Sequence, residues 1–214
     1  MRWVLWSGIA VVVACMAGRA QAEDIVDVLR SSQQQRLDSF PMAEDGARSA
    51  RIRASFQLLR ATLGPELPAV ELRVISGETV AETLHGHIIV ANEKLGDLPE
   101  GERLFILAHE LGHVVSRHWL AMGLLYLRWV PGAVTPSTTD PVSGPMSREA
   151  SALAHRQELD ADAFAVGLLR RVGHGSDDAF ATFLHLGMMQ DTATHPGTRK
   201  RVAALRAATM DAKD

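Results

Sequence analysis

The sequence predicts an α+β fold, mainly helical, with a small β-sheet in its first half. Three observations carry this. Apolar residues recur at helical spacing over most of the chain, residues 70–91 alternate instead, and Gly/Pro clusters fall at the breaks between these stretches. At 214 residues the chain suits one domain with a substantial core, and 47% hydrophobic with 22% charged residues is a globular composition. A net charge of −3 sets up no broad field for nucleic acid, and no nucleic-acid partner is expected. The local basic clusters, residues 48–53 and 199–206, read as solvated helix faces.

The N-terminus reads as an export signal over residues 1–22, followed by a single domain over 23–214. Arg2 gives a positive start, residues 3–17 are almost wholly apolar, and Ala20-Gln21-Ala22 places small residues where a signal peptidase cuts, before Glu23. A membrane anchor is disfavoured because the stretch is short and interrupted by Ser7 and Gly8. A lipoprotein reading rests on Val12-Val13-Ala14-Cys15, but the Ala-x-Ala site favours simple cleavage. Cys15 is the single cysteine, so the mature chain would hold no disulfide.

Ile25, Val28 and Leu29, then Ile52, Phe56, Leu59 and Leu63, mark helices in residues 24–63, with a break from Phe40-Pro41 to Gly46. Val70, Leu72 and Val74 alternate with Glu71 and Arg73 as a half-buried strand. His87-Ile88-Ile89-Val90 is a second strand. Leu104, Leu107, Leu111, Val114 and Val115 restore helical period to about His118. Residues 119–130 are strongly apolar but too short to span a bilayer; they are expected to be core, with contact to a membrane surface as the rival. Residues 131–147, with four prolines and two glycines, read as a mobile loop and possible lid. Helices are expected over 149–171, 177–189 and 198–208, with a turn at Thr194-His195-Pro196-Gly197 between the last two.

The strongest chemical signal is His109-Glu110-Leu111-Gly112-His113. Histidines four apart on a helix share one face and can meet one ion, and Glu110 beside them can reach a water activated by that ion. A catalytic site needs a third ligand and an open position. Glu158, on a separate helix, is the best candidate, with Asp162 on its face able to accept the free N–H of a ligand histidine. His155 shares that face as the rival ligand, and Asp160 points away to solvent. His85, His87, His174 and His185 are expected at surface or loop positions, and His118 at a helix end.

HELGH followed by E-x-x-A-D-x-x-A (Glu158, Ala161, Asp162, Ala165) resembles the zinc endopeptidase family that includes HtpX, BepA and the CAAX prenyl endopeptidase. Gly86-His87-Ile88-Ile89-Val90 is similar to that family's edge strand ahead of the metal helix, and His195-Pro196-Gly197-Thr198 with Arg201-Val202 to its late His-Pro motif. The resemblance implies a zincin-like domain holding one Zn²⁺ on His109, His113 and Glu158, with Glu110 as catalytic base. It places His195 near the open metal position, and Arg201 behind that loop or the acidic groups. Substrate would add as a strand along His87, Ile88, Ile89 and Val90. Thr79-Val80 stands where many relatives have Asn-Ala. The expected function is zinc-dependent hydrolysis of misfolded or envelope polypeptides in the periplasm, or after secretion. The alternative is a zinc-binding assembly factor for outer-membrane proteins whose peptidase activity is gated by His195. A structural zinc site would not need Glu110. Oligomeric state is not legible in the sequence.

Overall fold

In the computed structural model, which describes residues 23–65 and 67–211, the chain opens with helix α1 (Ile25–Ser39). The export signal and Cys15 lie outside the described residues. The Asp24 carboxylate caps α1, accepting from the backbone N–H groups of Val26 and Asp27 at 2.9 Å each. Helix α2 (Ala47–Leu63) follows after the expected break.

Three strands come next: β1 (Glu71–Ile75), β2 (Ala81–Leu84) and β3 (Ile88–Asn92). The sheet order is β1-β3-β2, with β1 parallel and β2 antiparallel to β3. This corrects the expectation of a peptide-binding strand at His87–Val90. Strand β3 is central, paired on both sides, and Ile88, Ile89 and Val90 are buried, while His87 sits exposed in the preceding turn. No substrate can add there. The edges are β1 and β2, and β2 is not revealed by sequence pattern alone because four residues alternate too briefly.

Alternation along the strands divides the core. Val74, Ile89 and Ala91 pack with Ile52, Phe56, Leu59 and the helix that follows. Ile75, Leu84, Ile88 and Val90 face the other way and bury Leu37, with Phe40 alongside, at the end of α1. Both faces of the sheet are therefore covered.

A 3-10 turn over Glu93–Asp97 leads into α3 (Glu100–Val115). Arg117, in the left-handed region at φ 53°, turns the chain into α4 (His118–Trp129). Leu125 is buried on α4, but Leu120 and Leu124 are 52% and 58% exposed, so the apolar stretch is only partly core. Among the described residues, no helix is long and apolar enough to cross a membrane.

The expected loop at 131–147 is about half helical: a short α5 (Pro136–Thr139), then the start of α6 (Ser143–Arg171). Pro136 opens α5 behind a Thr135 cap, and Pro145 lies in the first turn of α6, where a backbone N–H has no helical partner to lose. Helices α7 (Ser176–Leu186) and α8 (Thr198–Asp211) complete the fold.

The α3–α6 contact sets the site. A Cβ on Gly112 would lie 3.1 Å from the Ala161 Cα and 3.2 Å from the Phe164 ring. The bare glycine lets the two helices approach closely enough for their side chains to converge.

Candidate metal centre

Helix α3 presents His109 and His113 one turn apart, and α6 brings Glu158 against them. Their ligand atoms all lie within 4.8 Å of one another. The two Nε2 atoms are 3.1 Å apart; Glu158 Oε2 is 3.5 Å from His109 Nε2, and Glu158 Oε1 is 3.4 Å from His113 Nε2. Glu158 Oε2 is buried without a hydrogen-bond partner. An orphaned carboxylate oxygen facing two imidazole nitrogens is costly in a bare protein, and a divalent cation among them removes that cost. The donor set fits such an ion.

Each histidine is oriented from behind. His109 Nδ1 is 2.9 Å from Asp162 Oδ1, so it donates there and leaves Nε2 toward the trio. Asp162, one turn beyond Glu158, is gripped by Arg201 from α8: Nε to Oδ2 at 2.8 Å and Nη2 to Oδ1 at 2.5 Å. Arg201 Nη1 also approaches Glu158 Oε2 at 3.6 Å, and its guanidinium stacks 4.9 Å from the Phe183 ring centroid. Arg201 thus braces the acidic groups rather than the His195 loop. His113 Nδ1 is 2.9 Å from His118 Nδ1. His118 is buried at the start of α4 and backs the ligand directly, which the expectation of a simple helix end did not include.

Charge follows from this packing. Burial opposes a charged His109, yet the carboxylates of Asp162 and Glu158 outweigh it and push its pKa up to about 10 in the ion-free chain. A bound cation takes the place of that proton. Burial also opposes ionised Glu158, but the imidazoles of His109 and His113 facing it hold its carboxyl well below the usual range. Burial, with His113 beside it, pushes His118 down to about 4, so it stays neutral and able to accept from His113.

Glu110 lies next to the trio, buried, with Oε2 2.7 Å from the Thr83 hydroxyl on β2. His195 reaches in from the loop before α8, its Nε2 3.6 Å from Glu158 Oε1. His155 does not join the trio; its Nε2 is 2.8 Å from the Thr192 carbonyl and holds that loop in place. Asp160 is exposed, as expected. Of the remaining histidines, His185 pairs with Glu102 and His174 with Asp178, away from the centre.

The trio opens into a cleft of about 570 Å³. Its walls are β2, Trp119, Met122 and Tyr126 of α4, Ala150 and Ala154 of α6, and Leu29, Gln33 and Arg36 of α1. Helix α1 is fastened to the β2 edge: Arg36 makes paired bonds to Glu82 at 2.5 and 2.7 Å, and Gln33 Oε1 accepts from the His85 N–H at 2.6 Å. No local pattern signals this wall, because contacts from residues 29–36 to β2 and α4 are set by tertiary packing alone.

Fold and site together define a two-histidine, one-carboxylate cation centre with a further carboxylate beside it, at the crossing of two helices under a small sheet. Residues 79–209 match the model of peptidase family M48, and the chain belongs to that family. Among solved structures, the crystal structure of S. mikatae Ste24p is similar, at 21% identity and a TM-score of 0.48, over 78% of this chain and 51% of that one. The chain thus spans about half the length of that protein. No curated protein matches it.

Proposed function

We propose that this chain is a zinc-dependent endopeptidase that cuts unfolded segments of misfolded or envelope polypeptides in the periplasm or after secretion. The observation that supports the reading is that Glu110 lines the same open cleft as His109, His113 and Glu158. Two imidazole nitrogens and one carboxylate, in a site with room for a further ligand, favour zinc among divalent ions. Held there, the ion would supply Lewis-acid polarisation of a peptide carbonyl and of a neighbouring water.

The chain's own residues do the rest. Glu110 takes a proton from the attacking water as its oxygen bonds to the carbonyl carbon. It then delivers that proton to the amide nitrogen as the C–N bond breaks, leaving a carboxylic acid and an amine. The Thr194 hydroxyl is 2.8 Å from His195 Nδ1; by donating there it leaves the Nε2–H to face the developing oxyanion. The outer edge of β2 offers backbone groups to an extended peptide, giving affinity with little demand on sequence. A cleft walled by three helices and a strand admits one extended chain and excludes a folded domain.

The test is metal analysis and casein cleavage on the purified mature chain. Wild type is expected to hold one zinc and degrade casein, and Glu158→Ala to lose both. Cleavage by metal-free Glu158→Ala at the wild-type rate would overturn the reading. N-terminal sequencing of the exported protein is expected to begin at Glu23; an unprocessed N-terminus would remove the cleaved-signal assignment.

A further inference from the structure

Thr83 sits within β2, an edge strand, half-buried with its side chain turned toward α3. Its hydroxyl oxygen is 2.7 Å from Glu110 Oε2 and 3.1 Å from the Glu110 carbonyl oxygen. A hydroxyl has one proton to give. The carboxylate contact is the shorter, and a bond to a charged acceptor is about twice as strong as one to a neutral carbonyl. The carbonyl lies within α3, where it accepts from the helix's own ladder. The proton therefore goes to the carboxylate.

We propose that Thr83 is a positioning residue for the general base, an assignment that rests on the peptidase reading above. Glutamate has three rotatable side-chain bonds, and a carboxylate at a cleft wall samples several rotamers unless something fixes it. Thr83 engages one oxygen, which leaves the other to receive the proton. The support behind Thr83 is stiff. It pairs with Ile89, which is fully buried in the core, so β2 cannot slide without opening that core. Next along the strand, Glu82 is tied to Arg36 of α1. The same strand that would align an extended substrate also aligns the base. Scissile bond and proton acceptor are then located from one backbone segment, which keeps their separation constant when the cleft fills.

The experiment compares wild type, Thr83→Val and Thr83→Ser, each loaded with zinc, on an internally quenched casein-derived peptide. Valine keeps the shape and removes the hydroxyl; serine keeps the hydroxyl and removes the methyl. Thr83→Val is expected to lose about 10-fold or more in kcat, a typical loss when an orienting hydrogen bond behind a reactive group is removed. KM and zinc content are expected to stay within about two-fold of wild type, because neither substrate contacts nor ligands change. Thr83→Ser is expected to keep most of the kcat. A Thr83→Val enzyme with wild-type kcat overturns the positioning role while leaving the peptidase reading intact. So do equal losses in both variants, since they point to methyl packing instead. A wild type that binds zinc and cleaves nothing overturns both.

Discussion

His118 Nδ1 stands 2.9 Å from His113 Nδ1, on the side of the ring away from the ion site. A ligand imidazole must present its lone pair to the ion and hold its other N–H elsewhere, and here a second histidine receives it. Replacing His118 by Ala removes the acceptor without touching the trio. The expected outcome is a 10- to 100-fold weaker zinc affinity, on the order measured for lost orienting partners, read by competition with a chromophoric chelator. Unchanged affinity would show that His113 needs no such support.

Glu110 and Glu158 are both buried carboxylates at the same centre, yet they are expected to respond differently. Glu110→Gln keeps the ligand set, so zinc is retained while peptide cleavage falls by about 10²-fold or more. Equal zinc content with wild-type turnover would remove Glu110 from the role of base.

Arg201 is 16% exposed at its side chain and faces Asp162, which is 1% exposed. Arg201→Met would leave Asp162 buried without its cation, and breaking one side of such a pair costs about 3–5 kcal/mol. A marked fall in the urea midpoint is expected. A variant as stable as wild type would mean that Asp162 takes up a proton at little cost.

Gly112 offers a case where two effects compete. Gly→Ala inside a helix gains about 1 kcal/mol from propensity. Against that, the new methyl meets the Ala161 Cα and carbonyl oxygen at 3.1 and 3.3 Å, backbone atoms that cannot swing away. Overpacking costs about 1–3 kcal/mol, so net destabilisation is expected, together with weaker zinc binding as α3 and α6 move apart. A stabilised Gly112→Ala with normal zinc affinity would show that this crossing is looser than the distances indicate.

Much of the candidate site was legible because local chemistry and helical spacing dictate it. His109 and His113 share a face by helix geometry, and Glu158 and Asp162 do so on α6, one reaching the ion site and the other a ligand ring. What escaped depends on partners distant in sequence. An apolar run such as Ile88-Ile89-Val90 suits either an edge or a central strand, and only the pairing with β1 and β2 settles it. Thr83 and Gln33 belong to short or solvent-like segments whose partners are fixed by packing. The prolines of residues 131–147 suggested a loop, yet Pro136 and Pro145 occupy helix first turns, where proline is tolerated.

Helix α6 runs unbroken for 29 residues, about 43 Å at the usual rise. Near its start Glu149 accepts from Arg128 and from the Trp129 indole N–H of α4; at its end Arg171 donates to the Thr62 carbonyl of α2. Between those anchorages sit Glu158 and Asp162. Glu149 lies roughly 13 Å along the axis from Glu158, so α6 is tied to α4 on one side and to α2 on the other of the two carboxylates it carries to α3.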